Sequence, residues 1–323
     1  MNKKDKIFIA GHNGMVGSSI VRALKKRGYS NLILKSSKEL DLRDQLAVSE
    51  FFQLEKPEYV FLAAAKVGGI LANNTYRADF IYDNLMIQSN VIHQAFLSGV
   101  KKLLFIGTSC SYPALSCQPI KEKELLNGKL EPTNEPYALA KIAGIKMCES
   151  YNRQYGETHG IDFRTIISAN LYGPGDNFHP QNGHVIPALI RKFHDAKVNN
   201  LTEVSVWGSG KPRREFLYVD DLADAAIFVM QMEKSLYKTK TDSRQYFINF
   251  GSGEDITIKN LVNLIAKVVD YKGLINFDST KNEGVKIKLL DSSIARSLGW
   301  KPRMLISDGL SITYNSFINE HLN

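Results

Sequence analysis

The chain has 323 residues, 44% of them hydrophobic and 23% charged, with a formal net charge of +8 at pH 7. That length holds one large domain or two smaller ones, and the composition is that of a globular protein with a substantial core. The surplus of cations suits acidic partners, but the lysines are scattered and no nucleic-acid motif occurs, so a phosphorylated small molecule is favoured over nucleic acid.

In chain order, short apolar strands alternate with amphipathic stretches. The pattern predicts strands at 6–11, 31–35, 59–64, 102–109 and 163–173, with helices at 15–27, 44–54, 79–98 and 136–155. Such alternation implies right-handed crossovers and a doubly wound parallel sheet, an α/β fold of the Rossmann type. The segment "YGPGDNFHPQNGHVIP" at 172–187 reads as a long binding loop. A helix at 185–196, a strand at 203–208, a strand entering a helix over 214–231 and a helix at 257–270 follow, with a short helix near the end. The expected division is a dinucleotide-binding domain over 1–172, to which 214–250 returns in part, and a smaller α/β substrate lobe from 173–213 and 251–323.

The longest apolar runs, such as "YVFLAAA" at 59–65, are too short to cross a bilayer, so no membrane is expected. Cys110, Cys117 and Cys148 are odd in number and lack metal-ligand spacing, which argues against a disulfide framework and predicts no metal. The start "MNKKDKIFIAGHNG" has no cleavable apolar segment, and the cytoplasm is the expected compartment.

Strand one runs into "GHNGMVGSSIVRAL". Gly11, Gly14 and Gly17 permit a tight turn and let backbone N–H groups approach a pyrophosphate at a helix N-terminus. A purely structural turn is the plain alternative, but the position after the first strand favours the cofactor. After strand two, "LKSSKEL" offers Lys35, Ser36, Ser37 and Lys38 where an NAD site usually carries an acid. Two lysines and two hydroxyls suit a 2′-phosphate, so NADP is favoured, the alternative being a solvated lysine pair. Asp41 lies where it could hold the adenine edge.

The strand "KLLFIGTSCSYP" ends at Thr108, Ser109 and Cys110, and ligands of open α/β sheets bind at the carboxyl ends of strands. "EPYALAK" puts Tyr137 and Lys141 on one helix face. An ammonium there is expected to lower the phenol's pKa from about 10 toward neutrality. Thr108 and Tyr137 could then hold and protonate one carbonyl oxygen, a set of parts for hydride transfer at a C–O carbon.

Six stretches covering most of residues 6–230 are longer than generic signatures: "FIAGHNGMVGS", "LAAAKVGGILANNTYRADFIYDN", "SCSYP", "LEPTNEPYALAKIAGIKMCESYNRQYG", "NLYGPGDNFHPQNGHVIPALIRKF" and "VWGSGKPRREFLYVDDLADA". They resemble extended short-chain dehydrogenases/reductases, and within them the GDP-L-fucose synthase branch of 3,5-epimerase/4-reductases. The resemblance implies that Thr108, Tyr137 and Lys141 are carbonyl anchor, proton donor and the cation that also holds ribose. It implies epimerase proton transfers by Cys110 and His184, whose plain alternatives are a buried small residue and a loop-ordering one. Met15, Val16, Leu42, Ala63, Ala64 and Ala65 match cofactor positions. Ser109, Asn170, Val185, Leu189, Lys192, Trp207, Arg214 and Lys288 match substrate positions, although Val185 and Leu189 suit core packing equally. A homodimer through helices 79–98 and 136–155 is implied as well.

The chain departs from the branch at Asn13 and Ser37, where arginines are usual near the 2′-phosphate, at Ser168-Ala169 beside the nicotinamide, at Lys192, and at Lys286-Ile287. The implied activity is NADPH-dependent 4-keto reduction of a GDP-linked 4-keto-6-deoxy sugar together with 3,5-epimerisation. The alternative is reduction alone, on a related sugar such as a GDP-4-keto-6-deoxy-heptose.

Overall fold

In the computed structural model, residues 1–281 and 284–321 are described. The chain opens with β1 (Ile7–Ala10), α1 (Met15–Lys26), β2 (Leu32–Ile33), α2 (Gln45–Glu55), β3 (Tyr59–Leu62), α3 (Ile70–Thr75), α4 (Arg77–Leu97), β4 (Lys102–Thr108), α5 (Glu135–Tyr155) and β5 (Phe163–Ser168). All four residues of β1 and all six of β5 are buried. Strands covered on both faces need no polar alternation, and this is why "IFIA" and "FRTIIS" read as continuous runs.

The chain continues through β6 (Asn170–Tyr172), α6 (Val185–Val198), β7 (Glu203–Trp207), β8 (Arg213–Tyr218), α7 (Val219–Gln231), α8 (Lys234–Lys240), β9 (Phe247–Phe250), β10 (Asp255–Thr257), α9 (Ile258–Val269), β11 (Leu274–Asp278), β12 (Ile287–Lys288), α10 (Ser293–Ser297) and α11 (Ile306–His321). The main sheet is parallel, in the order β2-β1-β3-β4-β5-β9. The order reverses beside β1, so the crevice between the carboxyl ends of β1 and β3 is the natural ligand site. A second sheet runs β10-β8-β12 with β6 also on β8, and β7 pairs β11 separately.

Two expectations are corrected. The strand predicted over 163–173 is two strands in two sheets. Ala169 N–H still reaches Phe250 O at 3.1 Å, whereas Asn170–Tyr172 pair with Phe216–Tyr218 of β8. Strand two, predicted at 31–35, pairs β1 only at Leu32 and Ile33, leaving Lys35 in the following loop. Phe247–Phe250, a stretch for which the sequence pattern offers no element, is the edge strand of the main sheet; "FINF", with buried Asn249 inside it, is too short to show a period.

Two apolar cores result. The first surrounds the main sheet and α7; the second gathers Ile186, Phe193, Val204, Phe216, Leu261 and Phe317. The C-terminal segment is shared between them, with Leu290, Ala295 and Trp300 in the first core and Leu310 and Phe317 in the second. Helix α7 is fastened to α1 by Ser19 Oγ donating to Asp220 at 2.6 Å and by the Arg27–Asp224 ion pair at 2.7 Å.

Candidate active site

The glycine turn is imposed by sterics. Gly11 has φ +85°, a conformation that favours glycine. A Cβ on Gly17 would lie 2.1 Å from the Gly11 carbonyl oxygen, and one on Gly11 would lie 2.7 Å from the Ala64 backbone. The turn thus presses the start of α1 against the end of β3, where Ala63, Ala64 and Ala65 are half-buried. The first turn of α1, opening at Met15 and Val16 behind Gly14, holds no acid. A helix N-terminus free of carboxylates and lined by glycine fits a dinucleotide pyrophosphate.

Lys35, Ser36, Ser37 and Lys38 sit in the loop after β2. Ser36 donates from both its backbone N–H and its hydroxyl to Glu39, at 2.8 and 2.7 Å. These bonds, with Lys35 and His12 nearby, hold the Glu39 carboxyl below its usual range. Asp41, expected at the adenine, receives Arg43 from both Nε and Nη2, the latter at 2.8 Å, and Arg43 also reaches Asp83 at 3.2 Å. Leu42 packs against the first core.

At the end of β4, Thr108 Oγ1 accepts from Cys110 N–H at 3.3 Å, and the threonine lies beside the Tyr137 hydroxyl, whose acidity it favours. Helix α5 starts at Glu135 with Pro136 in its first turn, a position that tolerates the missing N–H. Lys141, one turn after Tyr137, is 4% exposed and donates to Ile106 O at 2.9 Å. Its Nζ lies 4.7 Å from the Phe105 ring centroid and 6.0 Å from that of Tyr137.

The expected electrostatics are reversed here. Burial, reinforced by the negative charge available to Cys110, pushes the Tyr137 phenol up, and Thr108 offsets only part of this. Burial pulls Lys141 down to about 7. Desolvation outweighs the attraction between the pair, and both are driven toward their neutral forms. A neutral phenol is the form that can give a proton to a carbonyl oxygen.

Cys110, next to Thr108, is partly buried, and its Sγ accepts from Asn134 Nδ2 at 3.5 Å. Asn134 is set by Glu131, whose carboxylate accepts from Asn134 N–H at 3.2 Å, Thr133 N–H at 3.1 Å and the Thr133 hydroxyl. His184 precedes α6, and its Nδ1 is 3.9 Å from Asp176 Oδ1. Asp176 is buried and its other oxygen has no partner. A chain of contacts connects this loop to the tyrosine. Gly69 N–H donates to Asn182 O at 2.8 Å, Phe80 packs beside Gly68, and the Phe80 ring meets Tyr137 edge-on at 6.3 Å.

Of the remaining thiols, Cys117 is exposed, and burial pushes Cys148 up to about 12. His179 orders its loop, its Nδ1 accepting from the N–H groups of Gln181 and Asn182 at 3.2 and 3.1 Å.

On the substrate side, Val185 opens α6 and is partly exposed, Trp207 ends β7 with 56% of its surface exposed, and Ser109 is buried beside Cys110. Leu189 takes the core-packing alternative, 7% exposed within the second cluster. Lys192 donates to Ser205 O at 2.6 Å, and burial draws its pKa down. Asn170 donates to Glu215 O at 3.0 Å. Arg214 and Lys288 are register partners on β8 and β12, which puts two cations on one face of the sheet.

Asn134, Asp176 and Phe80 also belong to this site, and no motif marks them in the sequence. Asn134 before "EPY" reads as a helix cap, and Asp176 in "GPGDNF" as a turn residue.

The sequence model of the NAD dependent epimerase/dehydratase family matches residues 7–241. The chain is 55% identical over 315 residues to the GDP-L-fucose synthase of Escherichia coli (strain K12), covering 98% of this chain and 97% of that one. A solved GDP-6-OMe-4-keto-L-xylo-heptose reductase from C. jejuni superposes with a TM-score of 0.91 at 41% identity, covering 99% of both chains. A GDP-L-fucose synthetase from Naegleria fowleri bound to NADP superposes with a TM-score of 0.89 at 26% identity, over 100% of this chain and 97% of that one.

Proposed function

The chain belongs to the NAD dependent epimerase/dehydratase family and, within it, to the GDP-L-fucose synthase branch; from this we infer that it is an NADPH-dependent epimerase/reductase of a GDP-linked 4-keto-6-deoxy sugar. The observation that carries the reading is the convergence of Thr108, Tyr137 and Cys110 where β4 meets α5, with Lys141 buried behind the tyrosine.

NADP(H) is the cofactor, and when bound it supplies the hydride for the ketone carbon. The glycine turn at Gly11, Gly14 and Gly17, the acid-free start of α1 and the loop carrying Lys35 and Lys38 would hold it. Tyr137, kept neutral by burial, gives its proton to the ketone oxygen, and Thr108 holds that oxygen by a second hydrogen bond.

Epimerisation uses the same oxygen anchor. Hydrogens on the carbons flanking a ketone are acidic, so Cys110 sulfur can take one as a proton. The C–H electron pair then forms the enolate double bond, and Tyr137 and Thr108 hold the enolate oxygen. His184 returns a proton to the opposite face, beside the buried Asp176 carboxylate. Trp207 and Arg214 are assigned to the GDP side, the guanidinium for a diphosphate oxygen, with Lys288, its register partner, as the cation near the sugar.

The test supplies GDP-4-keto-6-deoxy-D-mannose and NADPH in heavy water, with the product weighed by mass spectrometry. Solvent deuterium on carbon is the expected outcome. Product without it would identify a reductase only, and no product would turn the search to larger GDP-4-keto sugars, for which the heptose reductase likeness argues. The Tyr137→Phe variant should bind NADPH but lose about two or more orders of magnitude in reduction, which separates an enzyme from a silent dinucleotide binder.

The reading includes a homodimer through α4 and α5, in line with Tyr82, Leu97 and Leu139 being exposed on those helices. It also places the enzyme in the cytoplasm, in keeping with three free cysteines. Among the described residues, no helix is long and apolar enough to cross a membrane.

A further inference from the structure

Asn134 occupies the position before the first residue of α5, yet its side chain makes no capping hydrogen bond. The contrast is Asp44, whose carboxylate accepts from Leu46 and Ala47 N–H at the start of α2. The Asn134 side chain is turned to Cys110, with Nδ2 donating to the sulfur at 3.5 Å. Its other end, Oδ1, is buried and has no hydrogen-bond partner. A buried acceptor left unmade is destabilising, so one kept beside the reacting groups calls for a donor from outside the chain. The orientation is not accidental, because Glu131 fixes the turn through the N–H groups of Thr133 and Asn134.

We propose that Asn134 is a positioning residue for Cys110, its amide N–H holding the sulfur as a hydrogen-bond acceptor, and that its buried carbonyl oxygen receives a hydroxyl of the sugar. The first half has a direct chemical consequence. A sulfur that accepts from an N–H has its electron pair available, which is the condition of a base before it takes a proton, and such a bond strengthens as the acceptor becomes charged. The second half names a ligand class. A polyol carries hydroxyl donors next to its ketone, and one Asn side chain spanning sulfur and hydroxyl sets the carbon between them against the base. This inference rests on the epimerase reading.

The test uses the full-length protein with two readouts. The first is alkylation of Cys110 by iodoacetamide without sugar, followed by peptide mass spectrometry, with exposed Cys117 as internal standard. Asn134→Ala should slow Cys110 alkylation at neutral pH by about tenfold, leave Cys117 unchanged, and lose much of that deficit above the ordinary thiol range. Unchanged or faster alkylation of Cys110 would overturn the proposal, since the amide would then be a bystander or would face the thiol through its oxygen.

The second readout is sugar turnover in heavy water. Asn134→Ala should raise KM for the sugar about tenfold and lower deuterium entry relative to reduction. Asn134→Asp, which keeps an acceptor but loses the donor, should retain more of the sugar affinity while deuterium entry still falls. Equal KM in wild type and both variants would sink the hydroxyl contact. Unchanged NADPH binding reports that each variant is folded. Alkylation needs no substrate, so a slow variant alongside a wild type that incorporates no deuterium would fault the epimerase reading and leave the thiol contact standing.

Discussion

Tyr137 and Lys141 stand one helical turn apart, and their spacing invites the conclusion that the ammonium activates the phenol. In the folded protein the balance is different. Lys141 is enclosed by Phe105 and the end of β4, its ammonium donates to the neutral Ile106 carbonyl, and burial draws it down to about 7. The consequence is measurable as stability. Between about 7 and about 10.4 the unfolded chain holds a proton on this lysine that the folded chain does not, so unfolding free energy rises with pH across that window. Below the window both states are protonated and the full burial cost applies. Lys141→Met removes the term. Its stability relative to wild type should be highest at about pH 6 and fall, by an amount on the order of a few kcal/mol, toward about pH 9 in urea melts of the cofactor-free protein. A gap that does not change with pH would mean that Lys141 stays charged when buried.

Among the elements, the turn from β1 into α1 is the most tightly specified. Gly17 faces the Gly11 carbonyl with no room for a methyl group, and Gly11 lies against Ala64. Gly17→Ala must therefore push α1 away from the turn that follows β1. NADPH affinity should fall at least about tenfold, with a stability loss of about 1–3 kcal/mol from overpacking, read by fluorescence titration and thermal melts. Wild-type affinity in this variant would show that the turn is structural only. The glycines, the strand and the helix are legible in the sequence because they are local features with local periods. The break at Ala169 is not, since "FRTIISANLYG" stays strand-like throughout. What divides it is pairing with β9 on one side and with β8 on the other, and both partners come much later in the chain.

At the scale of the whole molecule, Glu215 joins the parts. It lies on β8 in the second sheet, 1% exposed, and accepts from Gly253 N–H at 2.7 Å on one oxygen and Leu290 N–H at 2.9 Å on the other. Gly253 lies just after β9 of the main sheet, and Leu290 packs in the first core. Two donors need two acceptors, and an amide has one. Glu215→Gln should thus cost about 1–3 kcal/mol in thermal or urea unfolding despite matching the carboxylate in shape. It should also weaken sugar turnover, because Asn170 is bonded to the Glu215 backbone and Arg214 is the neighbouring residue. A variant as stable as wild type would show that the two sheets do not depend on this junction.

The alternating α/β order, the glycine turn, the one-turn spacing of Tyr137 and Lys141 and the strand end carrying Thr108 and Cys110 are all legible along the chain, because each depends on residues within a few positions of one another. Only the tertiary structure drives Tyr137 and Lys141 toward neutrality, puts Leu189 in the core, brings Arg43 to Asp83, and stands Asn134 and Asp176 beside Cys110 and His184. These follow from burial and from contacts between distant segments, and desolvation in particular is set by the whole fold around a group rather than by its neighbours in the chain.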